Sequence, residues 1–154
     1  RLVVLGSGEE KDESYFTWLQ NSFPHKVAYD RGYKEDLAHH IEAGADMFFM
    51  PSRYEPCGLN QMYSLKYGTV PIVRRTGGLA DTVIPFDGTN LAQANGFGFY
   101  SQNPVDLYMT SWIAMLNYKD GAAWEKLRSN GMAADFSWER SALAYDQVYR
   151  WAQS

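Results

Sequence analysis

Pro51-Ser52-Arg53-Tyr54-Glu55-Pro56-Cys57-Gly58-Leu59-Asn60-Gln61 separates a short apolar run, Met47-Phe48-Phe49-Met50, from a run of helical character, Gln61 to Tyr67. Strand, irregular turn and helix follow one another this way in open α/β sheets, where loops at the carboxyl ends of strands open onto the ligand crevice. Within the turn, Glu55 offers a hydrogen-bond acceptor to a sugar-like ligand. Pro56 fixes φ near the helix start, and Gly58 lets a ligand approach the backbone. The free N–H groups of the first helical turn suit phosphate. The stretch therefore reads as a site for a phosphorylated polyol. It reads equally as a tight turn with no ligand, because Pro, Gly and Asn are ordinary turn residues.

The next unit repeats the pattern. Val70-Pro71-Ile72-Val73 has the look of a buried strand, Arg74-Arg75-Thr76-Gly77-Gly78 follows it, and Leu79-Ala80-Asp81 opens a short helix. Two consecutive strand–glycine turn–helix units place both turns at one sheet edge, where together they can hold a diphosphate and a sugar.

The whole run from Pro51 to Val83, PSRYEPCGLNQMYSLKYGTVPIVRRTGGLADTV, resembles the signature of bacterial glycogen synthases and plant starch synthases. The resemblance extends from LVVLGSG at the start to GMAADFSWERSALAYDQVY near the end, and so covers nearly the whole chain. Those enzymes are retaining glycosyltransferases of the GT-B type, with two Rossmann-like domains and a cleft between them.

The resemblance implies roles residue by residue. Glu55 matches an acidic residue beside the donor glucose, and is the catalytic candidate. Cys57, Gly58 and Leu59 match the turn whose backbone meets the sugar hydroxyls and the diphosphate; Asn60 stands where many relatives have Thr. Thr76, Gly77 and Gly78 match the second loop near the donor. Tyr33, in Gly32-Tyr33-Lys34, falls where relatives set an aromatic ring against adenine. Tyr63 occupies the place of a second Glu found in the wider superfamily. The implied reaction transfers glucose from ADP-glucose to the nonreducing end of an α-1,4-glucan with retention. It implies no cofactor and no metal, with the nucleotide sugar and the glucan as partners. It also implies an Arg and a Lys upstream of the first strand, and an N-terminal domain carrying a catalytic His and the acceptor surface. The chain is then most of a C-terminal domain, inactive alone. The implied location is the bacterial cytoplasm, or a plastid for a plant or algal protein.

Composition sets the bounds. The 154 residues suffice for one domain, 1–154, with its own core. Hydrophobic residues at 45% and charged residues at 21% are ordinary for a globular chain. A net charge of −4 argues against unassisted nucleic-acid binding, which needs a basic face. The single cysteine excludes an intrachain disulfide, no His/Cys spacing suggests a metal site, and no apolar run is long enough to span a bilayer.

Five strands are expected: Arg1 to Leu5, Lys26 to Tyr29, Met47 to Met50, Val70 to Val73 and Phe97 to Tyr100. With helices between them they make an α/β, doubly wound, parallel Rossmann-like sheet, lacking its first and central strand. Leu2–Leu5 is expected as a buried strand, with Gly6-Ser7-Gly8 a turn outside the site. His39 and His40 are expected to be structural. Phe86 to Asn95 reads as a polar surface loop, and Asn103-Pro104 as the cap and first residue of a helix to Tyr118 that is apolar on more than one face, hence sandwiched or covered by something outside the chain. Asp120 and Ser137 cap the last two helices. Of Arg74 and Arg75, at least one is expected to be a structural ion-pairing residue. An unfilled central position exposes strand edges and favours self-association. Two other functions fit the pattern: another nucleotide-sugar enzyme, GT-B or epimerase, and a non-catalytic nucleotide-sugar-binding module.

Overall fold

The computed structural model describes residues 1–153, which fall into two compact units, Arg1–Gly44 and a second beginning at Ala45. In the first, β1 (Leu2–Gly6) and β2 (Val27–Arg31) pair in parallel, from Leu2 opposite Val27 to Gly6 opposite Arg31. Helix α1 (Glu10–Ser22) makes the crossover, and α2 (Glu35–Gly44) follows β2. The acidic first turn of α1 suits the positive end of its dipole. Glu13 of that turn accepts from the Gly8 N–H at 3.1 Å, so this glycine turn spends its donor on the protein, as a turn outside a site should. Phe16 meets Tyr29 with ring centroids 5.7 Å apart. The Gln20 side-chain oxygen accepts from the Tyr29 N–H at 2.6 Å. Against expectation β1 is only half-buried: among the described residues it has a ladder partner along one edge alone, and Val3 is exposed.

The second unit holds β3 (Met47–Met50), β4 (Val70–Arg74) and β5 (Phe97–Phe99), parallel and in that order. Its helices are α3 (Asn60–Tyr67), α4 (Gly78–Thr82), α5 (Pro104–Tyr118), α6 (Gly121–Ala133) and α7 (Trp138–Ala152). The central strand β4 buries both faces, as a parallel strand covered on two sides does. The two-residue period of a strand sends alternate side chains to two cores. Val70 and Ile72 join Phe97, Ala114, Trp124 and Leu127, while Val73 joins Met50, Leu79 and Val83. That is the doubly wound arrangement the strand–helix alternation predicts.

One expectation about coverage changes, and another narrows to one of its two alternatives. Phe86 to Asn95 is no simple surface loop: Phe86 and Leu91 pack on the core, Ala94 and Asn95 are buried, and Asn95 accepts from the Ile84 N–H at 2.7 Å. Nor is α5 sandwiched. Ala114 is its one buried residue, whereas Tyr108, Met109, Trp112, Ile113 and Leu116 are exposed. On α7, Trp138, Tyr145 and Tyr149 are exposed as well.

Candidate functional site

The turn after β3 carries the candidate residues to the head of α3. The helix begins at Asn60, four residues beyond Pro56, so Pro56 fixes φ inside the loop and not at the helix start. Gly58 takes φ 73°, in the left-handed region that glycine occupies freely. A Cβ there would lie 2.5 Å from Oε1 of Gln61. The Gly58 backbone conformation and the buried Gln61 therefore require each other.

The turn after β4 packs directly against this one. Gly77 has φ 46° and ψ −135°. A Cβ on Gly77 would overlap the carbonyl oxygen of Glu55, and one on Gly78 the carbonyl oxygen of Cys57. The Gly78 N–H donates to the Glu55 carbonyl at 3.2 Å. The paired glycines are thus explained by backbone meeting backbone: two turns, over twenty residues apart in sequence, interlock with no room for a side chain.

Gln61, which the sequence reading missed as a site residue, joins the same assembly. Its Nε2 lies 3.1 Å from the Cys57 carbonyl, 2.8 Å from that of Gly58 and 3.1 Å from Oγ1 of Thr82. The Thr82 hydroxyl in turn donates to the Gly78 carbonyl at 2.6 Å. A signal was present: Gln61, Ser64, Leu65 and Gly68 follow helical spacing and are buried, and a Gln on a buried stripe needs partners.

Glu55 is half-buried, and its carboxylate has no hydrogen bond or ion pair with any described residue. The N–H groups of Gly58, Leu59 and Asn60 likewise find no acceptor among the described residues. A free carboxylate therefore stands in the turn, and free peptide donors stand at the head of α3, where the helix dipole adds positive potential. Cys57 is an exposed thiol, weakly directed at the Gly58 carbonyl 3.8 Å away, and Leu59 is exposed. Thr76 is half-buried beside Gly77, and its carbonyl accepts from Leu79 at 3.1 Å. Tyr33 lies in the first unit, just after β2, and is 86% exposed.

Arg74 and Arg75 are structural, but not through ion pairs. Arg74 donates to the carbonyls of Ser52 at 2.7 Å, of Tyr100 at 3.3 Å, and of Arg53. Arg75 donates to the Tyr100 hydroxyl and the Ala80 carbonyl, each at 3.1 Å, and lies over the Tyr100 ring. Strand-end guanidinium groups here brace the loops that flank the two turns. Among the described residues no cluster of His, Cys, Asp and Glu could hold a metal ion, and no helix is long and apolar enough to cross a membrane.

Residues 1–110 match the family described as glycosyl transferases group 1. The chain is 52% identical over 150 residues to a glycogen synthase of Anaeromyxobacter dehalogenans (strain 2CP-C), which covers 97% of this chain and 31% of that protein. It is 46% identical over 148 residues to a glycogen synthase of Bacillus anthracis, with 96% and 31% covered. The chain thus spans 31% of the length of these curated relatives. Among solved structures it is similar to the catalytic domain of starch synthase IV from Arabidopsis thaliana bound to ADP and acarbose. There the TM-score is 0.82 and the identity 29%, over 97% of this chain and 38% of that one. A sucrose-phosphate synthase from Thermosynechococcus elongatus shares the fold with a TM-score of 0.66, at 24% identity, over 99% of this chain and 39% of that one.

Proposed function

Because the chain belongs to the group 1 glycosyl transferases, we propose that it is the donor-binding part of a glycogen- or starch-synthase-type enzyme. That enzyme moves glucose from ADP-glucose to the nonreducing end of an α-1,4-glucan with retention. The observation that carries this reading is the pair of interlocked turns, with the Glu55 carboxylate unspent in the first of them and the Gly58, Leu59 and Asn60 N–H groups unspent at the head of α3. A reacting glycosyl donor develops positive charge on the sugar and negative charge on the diphosphate. Fixed dipoles and charges already in place stabilise that separation without reorganising. Glu55 holds the sugar hydroxyls and favours the positive sugar. The peptide N–H groups of the first turn meet the phosphates, and Thr76, Gly77 and Gly78 hold that turn in register. For Tyr33, in the first unit, the resemblance implies stacking on a base, and its ring is exposed. The acceptor glucan and further cations for the departing diphosphate belong to parts of the enzyme outside this chain. In this reading a second domain completes the cleft as partner, and the chain spans 31% of the length of a relative of that kind.

The test is calorimetric titration of the full-length enzyme with ADP-glucose, ADP and UDP, followed by glucan elongation with ADP-glucose and with UDP-glucose. Binding and transfer with the adenine donor are expected. Binding of none of the three would overturn the proposal, and transfer from the uridine donor alone would move it to another nucleotide-sugar enzyme.

A further inference from the structure

We infer that Gln61 is a positioning residue for the donor diphosphate: its buried amide sets the Cys57–Leu59 backbone so that the Gly58 and Leu59 N–H groups face outward. The inference rests on the donor-binding reading above and assigns that site a residue outside the ligand's reach.

Gln61 is completely buried as the second residue of α3. Its Nε2 lies 3.1 Å from the Cys57 carbonyl oxygen and 2.8 Å from that of Gly58. Carbonyl oxygens only accept, so they fix which end of the amide faces them; a flipped amide would set oxygen against oxygen twice. There is no cis peptide bond among the described residues. In a trans peptide the N–H points opposite to the C=O. With the Cys57 and Gly58 carbonyls held inward on Gln61, the next N–H groups, those of Gly58 and Leu59, are directed away from the core. Neither has an acceptor among the described residues. Without the amide, these two peptides could turn over, and an anion would meet carbonyl oxygens instead of N–H groups.

The same amide reaches the second turn. Nε2 lies 3.1 Å from the Thr82 hydroxyl, which donates to the Gly78 carbonyl, while the Gly78 N–H donates to the Glu55 carbonyl. A chain of contacts therefore joins the Glu55 carbonyl, Gly78, Thr82, Gln61 and the Cys57 carbonyl, and it ties the backbone on both sides of Pro56 to the second turn.

Gln61 also carries a cost. Its Oε1 is buried without a hydrogen-bond partner. An unpaired buried acceptor lowers stability, and an apolar side chain of equal length would remove that penalty. What such a side chain would lose is the hold on the two carbonyls and on Thr82.

The experiment compares ADP and AMP affinities by calorimetry in the full-length enzyme, for wild type, Gln61→Met and Thr82→Val, with the melting temperature of each. The ADP-over-AMP preference is expected to fall about tenfold in Gln61→Met, the scale of losing well-aimed hydrogen bonds to a charged group, and by less in Thr82→Val. A residue serving stability alone would lower the melting temperature and leave that ratio unchanged, which overturns the inference. Should Gln61→Met fail to fold, an unchanged ratio in Thr82→Val overturns it by itself. Wild type that binds neither ADP nor AMP takes down the donor-binding reading and this one together. Wild type that binds, with variants of unaltered ratio, takes down only this one.

Discussion

The Gly78 N–H donates to the carbonyl oxygen of Glu55 at 3.2 Å, and a Cβ on Gly78 would overlap the carbonyl oxygen of Cys57. One glycine thereby fixes the backbone on both sides of Pro56. Replacing it moves the first turn bodily, because backbone atoms rather than flexible side-chain ends stand in the way. Gly78→Ala is expected to cost roughly 3 kcal/mol or more of stability, in the range of severe overpacking and backbone strain. It should also abolish nucleotide binding in whatever folded protein remains. Urea unfolding and ADP titration check both halves; a stable variant with wild-type affinity would show that the turns separate freely.

Glu55 has a different signature. Its carboxylate makes no described hydrogen bond, so removing it breaks nothing in the fold. Glu55→Ala is expected to leave the melting temperature and ADP affinity nearly unchanged while turnover falls about 10²–10³-fold, the scale of losing one preorganised transition-state group. Steady-state kinetics with ADP-glucose and glucan, beside ADP titration, separate the two. Equal turnover would remove Glu55 from the mechanism.

Much of this was legible in the sequence where signals are local. Asn103-Pro104 predicts a capped helix to Tyr118, and the Asn103 side chain does accept from the Val105 N–H at 2.9 Å over a helix of those bounds. Met47–Met50 is a strand over the expected residues because a four-residue apolar run after Gly44 has few other uses. The parts that escaped are contacts between turns distant in sequence. Nothing local says that Gly77 faces Glu55, that Gln61 reaches Thr82, or that Arg74 spends itself on carbonyls from two loops. The glycine pair shows that something comes close, and only the fold says what. Burial was misjudged for β1, and for α5 the sequence left two alternatives open, for a related reason: an apolar sequence declares that a surface wants cover, not that this chain supplies it.

Arg74 offers a test of the bracing role. Its guanidinium serves the carbonyls of Ser52, Arg53 and Tyr100, a fan of acceptors that the planar fork of Arg matches and a Lys ammonium does not. Arg74→Lys is therefore expected to destabilise by about 2 kcal/mol although the charge is kept. Arg74→Met should do at least as much. If charge on the diphosphate were the real role, the Lys variant would keep most of the ADP affinity and stability, and the Met variant would lose affinity alone. Parallel melts and titrations of the two variants distinguish these cases.

Glu42 sets a pH dependence in the acid range. It is 3% exposed on α2, and burial pushes its carboxyl above the ordinary 4.5, with His39 pulling the other way less strongly. Between 4.5 and the raised native value, the folded protein keeps a proton that the unfolded chain has released. The unfolded state then binds fewer protons, so stability falls as pH rises through that window. Glu42's contribution is complete below 4.5 and lost as pH passes the native value. Asp87 and Asp135 act with the opposite sign, since hydrogen bonds from Thr89 and from Ser137 hold their carboxyls below the ordinary 3.8. Their contributions are present above 3.8 and vanish only as pH drops through the lowered values, so they leave the Glu42 window clear. Urea midpoints taken at steps from pH 4 to 7 should decline across the Glu42 window in wild type and run flatter in Glu42→Gln, which cannot ionise. Parallel curves for the two proteins would mean that residue 42 keeps its charge at no cost in the folded state.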